Sequence, residues 1–194
     1  MNSQQLIARF QLTAPNTDIP AHHAYLQGTQ RASAVMLPLI DINNIAHILL
    51  CKRPTFLNHH PGEICLPGGK HEHSDIDLRN TALRELHEEL NIAPEYVSVI
   101  GQLPDYSTLT GFTITPFVGV LAANTQWHPD HNEVAASFLL PVNTLANVNN
   151  WQPLHFERRG KVITLQGFST PYGLLWGATA SIIKNFTKQL AIPV

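Results

Sequence analysis

A glycine turn followed by an acid-rich helix constrains this chain more than any other feature. Leu66-Pro67-Gly68-Gly69-Lys70 leads, through a short polar run, into Thr81-Ala82-Leu83-Arg84-Glu85-Leu86-His87-Glu88-Glu89-Leu90. On a helix, Glu85, Glu88 and Glu89 stand at i, i+3 and i+4, so their side chains project from one face and can converge on one point. Like charges at this spacing repel by roughly a few tenths of a kcal/mol per pair, and by more in a cleft where water screens poorly. A divalent cation removes that penalty, and hard oxygen ligands suit Mg²⁺ or Mn²⁺ better than zinc. Leu83, Leu86 and Leu90 fall on a separate face, so the helix can bury an apolar stripe with its acids turned outward.

The flanks of this helix carry their own signals. Ser74 and Asp77 have the spacing of a capping box with aspartate in the glutamate position, and Asp75 adds negative charge suited to a helix N-terminus. Arg84 adjoins the acids and can hold one carboxylate in a bidentate grip. Glutamate-rich surface helices with an arginine are common, and the triplet alone does not stand apart from them. The glycine turn before it does.

The order glycine turn, acidic spacer, Arg-Glu-x-x-Glu-Glu resembles the signature of the Nudix hydrolases over residues 69–92. Two letters depart from the general pattern. Asn91 stands where glycine is usual, a mild change because asparagine also tolerates the left-handed conformation that closes a helix. Between Gly69 and Arg84 there is one residue more than the general pattern has, and this longer spacer resembles the subgroup that cleaves coenzyme A and its thioesters. Upstream, Leu49-Leu50-Cys51-Lys52-Arg53-Pro54, Leu57 and His60-Pro61-Gly62-Glu63-Ile64-Cys65-Leu66-Pro67 are similar to the motif of coenzyme A pyrophosphatases, with Leu66 in place of the usual Phe and Pro54 where serine is frequent. The plain alternative is a strand and loop with Arg53 solvated. Later blocks, among them Thr115-Pro116-Phe117-Val118-Gly119 and Trp176-Gly177-Ala178-Thr179-Ala180, extend the resemblance over roughly residues 30 to 190.

The resemblance implies a metal-dependent diphosphatase. Glu85 and Glu89 would be the principal ligands of Mg²⁺ or Mn²⁺, with Glu88 and the backbone carbonyl of Gly69 completing the site. Arg84, Glu88 and Glu133 are the expected catalytic positions, and Arg53 and Lys70, with Arg158, are candidates for the substrate's phosphates. Water would attack one phosphorus in line, and coenzyme A would yield 3′,5′-ADP and 4′-phosphopantetheine. Glu133, just before a strand, resembles an acid brought to the metal from outside the signature, and reads equally as a solvated loop carboxylate. Competing readings are the same reaction on ADP-ribose or a dinucleotide, and a catalytically silent nucleotide sensor. A sensor would have lost ligands, whereas Arg84, Glu85, Glu88 and Glu89 are all present. A P-loop is excluded, because His71 follows Lys70 where a hydroxyl residue is needed.

Composition narrows the class less sharply. The 194 residues suit one domain with a sizeable core, residues 30–190, preceded by an N-terminal helix and loop over 1–29. A formal net charge of −2 offers no basic field for nucleic acid or membrane, leaving a small-molecule nucleoside diphosphate as the expected partner and homodimerisation open. Two cysteines, Cys51 and Cys65, make no disulfide framework, which with the absence of a secretory or membrane-spanning pattern suggests a reducing cytoplasm. Eleven histidines are scattered without zinc-site spacing; His22-His23 and His59-His60 read as loop residues.

Hydrophobic periodicity predicts a helix over 3–11, strands over 32–40 and 46–51 joined by a hairpin at Asp41-Ile42-Asn43-Asn44, and, after the acidic helix, strands over 96–103, 113–122 and 134–140. Two short extended pieces over 154–166 flank a tip at Arg158-Arg159-Gly160-Lys161. A helix over 173–190 closes the chain. Mixed strands with two substantial helices predict an α/β fold, consistent with the α/β/α sandwich around a mixed sheet that the Nudix resemblance implies.

Overall fold

The computed structural model describes residues 1–14, 30–108, 110–158 and 160–190. In chain order its elements are α1 (Ser3–Leu12), β1 (Arg31–Ile42), β2 (Ile45–Lys52), β3 (Ile64–Cys65), β4 (Gly68–Lys70), α2 (Leu78–Leu90), β5 (Val97–Gln102), β6 (Tyr106–Ser107), β7 (Phe112–Leu121), β8 (Ala136–Pro141), α3 (Val142–Ala146), β9 (Trp151–Arg158), β10 (Lys161–Thr170), β11 (Gly173–Leu175) and α4 (Gly177–Gln189). The loop expected before residue 30 with His22-His23, Arg159 at the hairpin tip, and residues 191–194 lie outside the described residues.

The central sheet runs β3-β2-β1-β7-β5, with β4 added to β1, β6 to β7 and β8 to β2. Among the described residues only the β1–β7 pair is parallel, so the sheet is mixed. The β1–β2 hairpin forms where expected. Its two-residue tip, Asn43-Asn44, has positive φ at both positions (52° and 62°), the geometry whose twist matches that of the strands it joins.

Strand alternation splits the core into two clusters, one on each face of the sheet. Ala34, Met36 and Ile40 of β1 and Leu49 and Cys51 of β2 face one way and pack with Ala82, Leu86 and Leu90 of α2. Leu37, Leu39, Ile48 and Leu50 face the other way and pack with Leu6 and Phe10 of α1 and Ile182, Ile183 and Phe186 of α4. The fold is therefore an α/β/α sandwich. A second antiparallel sheet, β11-β10-β9, lays Trp151, Phe168 and Leu175 over the α1/α4 cluster. No helix among the described residues is long and apolar enough to cross a membrane.

Several boundaries differ from the periodicity reading. The last helix begins at Gly177 rather than 173, because residues 173–175 are drawn into pairing with β10, where Leu175 opposes Phe168. The positive φ of Gly177 (66°) separates the two elements. The hairpin over 154–166 is longer at both ends, since Trp151 and Phe168 pair and bury together. Tyr96 ends a 3-10 turn, Pro94–Tyr96, and the strand expected from 134 starts at Ala136 after a turn in which Val134 N–H donates to Asp130 O at 2.7 Å.

At the front of α2 the Ser74–Asp77 box is not formed. Asp77 itself is the N-cap, accepting from Asn80 N–H at 2.7 Å, while Asp75 turns inward. Leu86 and Leu90 are fully buried and Leu83 only partly. At the other end Asn91 closes the helix at φ 55°, ψ 35°, donating to His87 O at 2.8 Å. Because this left-handed position is the one glycine favours, Asn91→Gly is expected to leave the thermal midpoint unchanged or raise it. Asn91→Ala should lower stability by about 1 kcal/mol, as checked by denaturant melts.

Candidate metal centre

The backbone of the glycine turn is pressed against two other parts of the protein, and this decides what residues can form it. A Cβ on Gly68, whose φ is +154°, would lie 2.4 Å from Ala34 O, a backbone atom of the strand it pairs with. A Cβ on Gly69 would lie 2.3 Å from Glu85 Oε1. Glycine at both positions lets β4 lie flat on β1 while α2 brings its carboxylates directly onto the turn.

Glu89 is the most buried acid of the helix, 2% exposed, and accepts from Gly68 N–H at 3.3 Å. Glu85 is partly buried beside Gly69. Oxygens of Glu85, Glu89 and Glu133 all lie within 4.8 Å of one another. Glu133 reaches them because its segment is strapped to the end of α2. His128 N–H donates to Leu90 O and Asp130 N–H to Glu89 O, both at 2.9 Å, and Ala135 N–H then joins β2 at Lys52 O, 2.8 Å. The free carbonyls that end a helix thus position Glu133, a residue far along the chain.

Glu88 does not join this cluster. Its Oε2 accepts from Arg84 at 2.8 Å, while the same guanidinium nitrogen donates to Glu85 Oε1 at 3.0 Å. The bidentate grip expected of Arg84 falls on Asp75, with Nε to Oδ1 at 2.9 Å and a second nitrogen to Oδ2 at 3.1 Å. A further donation, at 3.0 Å, goes to the carbonyl of Lys70. Arg84 thereby ties the spacer, the glycine strand and the acid helix together. Its bonds hold the Asp75 carboxyl well below the usual carboxylate range, with added help from the Glu72 backbone and the Thr81 hydroxyl. Asp75 was read from sequence as a helix-terminus charge; only its distance in space from Arg84, nine residues on, marks it as the anchor. Thr81 Oγ1, 2.8 Å from Asp75 Oδ2, and His71 Nδ1, 2.9 Å from that hydroxyl, extend the network. Neither was singled out by the sequence.

The remaining candidates are Arg53, Lys70 and Arg158. Arg53 is close enough to Glu89 to favour its charged form and meets the Cys65 thiol, yet its buried Nε has no hydrogen-bond partner among the described residues. Lys70 is exposed, contributing its carbonyl to Arg84. The side chain of Arg158 lies outside the described residues. Cys51 and Cys65 are free thiols pushed up by burial, Cys65 to about 12, so neither is a thiolate near neutral pH.

Electrostatics make the cluster receptive to a cation. Burial first, then Glu85 and Glu133, push the Glu89 carboxyl up from 4.5 to about 8. Burial also raises Glu85, against the lowering effect of Arg84. Three converging carboxylates, one in a nearly dry position, could hold a hard divalent ion, whose charge would keep all three ionised. The glycine carbonyl that the sequence reading added lies in the turn against which Glu85 packs.

Comparison with known proteins identifies the family. The NUDIX domain family model matches residues 30–164. The chain is 36% identical over 187 residues to a protein of Pectobacterium atrosepticum described as "Uncharacterized Nudix hydrolase NudL", covering 95% of this chain and 93% of that one. It is 35% identical over 190 residues to the NudL of Klebsiella pneumoniae strain 342, covering 98% and 95%. Among solved structures, a MutT/nudix family protein from Enterococcus faecalis superposes with a TM-score of 0.58 over 98% of this chain and 75% of that one, at 13% identity.

Two outcomes follow from this geometry. Without divalent ions the unfolded chain ionises Glu89 from about pH 4.5, while the folded state resists ionisation until about pH 8. Stability is thus greatest below that window and is lost as pH rises through it, by on the order of 5 kcal/mol. Melts in chelator should show a lower midpoint at pH 9 than at pH 5, and Glu89→Gln should flatten the difference; an equally steep fall in the variant would remove Glu89 as the cause. Gly69→Ala should fold, because the atoms it meets end a flexible side chain, but should displace Glu85 and weaken Mn²⁺ binding about tenfold in titration calorimetry.

Proposed function

The chain belongs to the Nudix family and is a Nudix hydrolase, and from that premise we propose that it cleaves the diphosphate linkage of coenzyme A or its derivatives. The products are 3′,5′-ADP and 4′-phosphopantetheine, or its acyl form. The convergence of Glu85, Glu89 and Glu133 carries the reaction. The block from Leu49 to Pro67, with the long spacer before Arg84, carries the choice of substrate.

Glu85 and Glu89, with the carbonyl of Gly69, would hold Mg²⁺ or Mn²⁺. Such an ion, when bound, neutralises diphosphate charge and acidifies water, the two things this inert linkage lacks. Glu133 takes the proton of the attacking water. Its support is that its carboxylate reaches the cluster from a separate segment, while Glu88 is engaged by Arg84. Arg84 and Glu88 are positioning residues, with Asp75 fixing the guanidinium that aligns Glu85. Arg53 receives a phosphate. Its support is a buried Nε with no hydrogen-bond partner among the described residues, close enough to Glu89 to favour that acid's charged form. Lys70, exposed beside the turn, adds a second positive charge. We place the enzyme in the cytoplasm, where both cysteines stay reduced.

The deciding assay compares 3′,5′-ADP release from coenzyme A with AMP release from ADP-ribose, at equal enzyme and with Mg²⁺ and Mn²⁺ in parallel. Coenzyme A should be turned over faster; preference for ADP-ribose would overturn the substrate assignment and leave the fold and centre standing. Glu89→Gln should reduce kcat by at least about 100-fold with the fold intact, and Glu133→Gln by about 100-fold or more. An unchanged rate in either variant would remove that residue's role.

A further inference from the structure

Thr81, one turn into α2, is fully buried, and its hydroxyl meets three polar groups at once. His71 Nδ1 lies at 2.9 Å, Asp75 Oδ2 at 2.8 Å and the backbone oxygen of Asp77 at 3.2 Å. A hydroxyl has one proton to give and two lone pairs with which to receive. The carbonyl one turn back is where a helical threonine ordinarily sends its proton. Here the Asp75 carboxylate is nearer, and the grip of Arg84 keeps it ionised. A charged acceptor at the shorter distance takes the proton. The third contact is then fixed in sense. His71 Nδ1 carries a hydrogen and donates to Thr81 Oγ1, which leaves Nε2 as the bare nitrogen of the neutral ring.

These bonds end on one carboxylate. The Asp75 side chain is 4% exposed, and its Oδ2 accepts from Thr81, from Glu72 N–H at 2.9 Å and from Arg84 at 3.1 Å, while Oδ1 takes Arg84 Nε at 2.9 Å. The guanidinium so held donates to Glu85 Oε1 at 3.0 Å. His71 stands 3.7 Å from Asp75 Oδ2, too far to bond it directly, so its influence passes through the hydroxyl. Its own backbone N–H is anchored on β1 at Ala32 O, 3.1 Å. A continuous run of directional bonds therefore leads from the central sheet to Glu85.

We propose that Thr81 and His71 are positioning residues for the acid cluster. The series from His71 through Thr81 to Asp75 sets the orientation in which Arg84 presents Glu85. The proposal rests on the reading that Glu85 is a metal ligand, and it assigns a task to two side chains outside the cluster itself.

The first test needs no metal and no turnover. NMR of the isotope-labelled protein in alkaline buffer should find the His71 ring hydrogen on Nδ1. A hydrogen on Nε2 with Nδ1 bare would overturn the proposal, because Thr81 would then give its one proton to His71 and leave Asp75. The second test separates the hydroxyl from packing. Thr81→Val keeps the branched shape without the hydroxyl, and Thr81→Ser keeps the hydroxyl without the methyl. The valine variant should weaken Mn²⁺ binding in calorimetry about tenfold and lower kcat about tenfold, with KM within about twofold, on whichever of coenzyme A and ADP-ribose the wild type cleaves faster. The serine variant should stay within about twofold of wild type in all three. A loss in serine equal to that in valine, or no loss in valine, makes the role one of packing and sinks the proposal. His71→Asn, whose amide nitrogen is bonded to Cγ as Nδ1 is, should recover most of what His71→Ala loses. In an Asp75→Ala background Thr81→Val should change Mn²⁺ affinity no further, and an undiminished loss there rules out action through Asp75. If Glu85→Gln leaves Mn²⁺ affinity unchanged, the metal reading fails while the NMR result and kcat still judge the series. If Glu85→Gln weakens it and Thr81→Val does not, the metal reading stands and the series fails.

Discussion

The repulsion among Glu85, Glu89 and Glu133 is the constraint around which the rest of this protein is arranged. Burying one carboxylate and turning two more toward it is unfavourable unless charge is supplied. Arg84 supplies part of it, but that guanidinium is shared among Asp75, Glu85 and Glu88, so the cluster keeps an excess of negative charge. A core of apolar residues on both sides of the sheet holds the acids together despite the cost. Stability is thus traded for a site that gains from a divalent cation.

The same constraint explains the glycines and the long spacer. A carboxylate can approach the turn this closely only because Gly69 has no side chain, while Gly68 is fixed by its positive φ and its contact with the β1 backbone. The spacer must leave β4, turn back and deliver Asp75 under Arg84 before α2 begins at Leu78. One structure therefore caps the helix through Asp77 and anchors the arginine through Asp75.

Sequence legibility followed interaction range. The acid helix, its apolar stripe, the Asn43-Asn44 hairpin and the asparagine that closes α2 depend on neighbours within a few residues, and each is where periodicity and turn chemistry put it. Errors arose where distant pairing overrode local preference. Residues 173–175 have a helical pattern but complete the sheet begun by Trp151 and Phe168, and Ser74 has the spacing of a cap but lies on the loop that carries Asp75 to Arg84. Glu88 and Glu85 are equivalent by spacing on a helix, yet one binds Arg84 in the open and the other packs against Gly69.

By itself the sequence determined the acid face, the glycine turn behind it and the mixed α/β class, because spacing along a helix and the needs of a tight turn are local properties. Only the tertiary structure decided which carboxylates meet. Glu133 belongs to the cluster because Asp130 and His128 bond to the last carbonyls of α2, and Asp75 belongs to Arg84 because the spacer folds back beneath it. Both depend on contacts between segments far apart in the chain, which no periodicity records. A surface motif becomes a charged, partly dry centre only when the sheet brings those segments together.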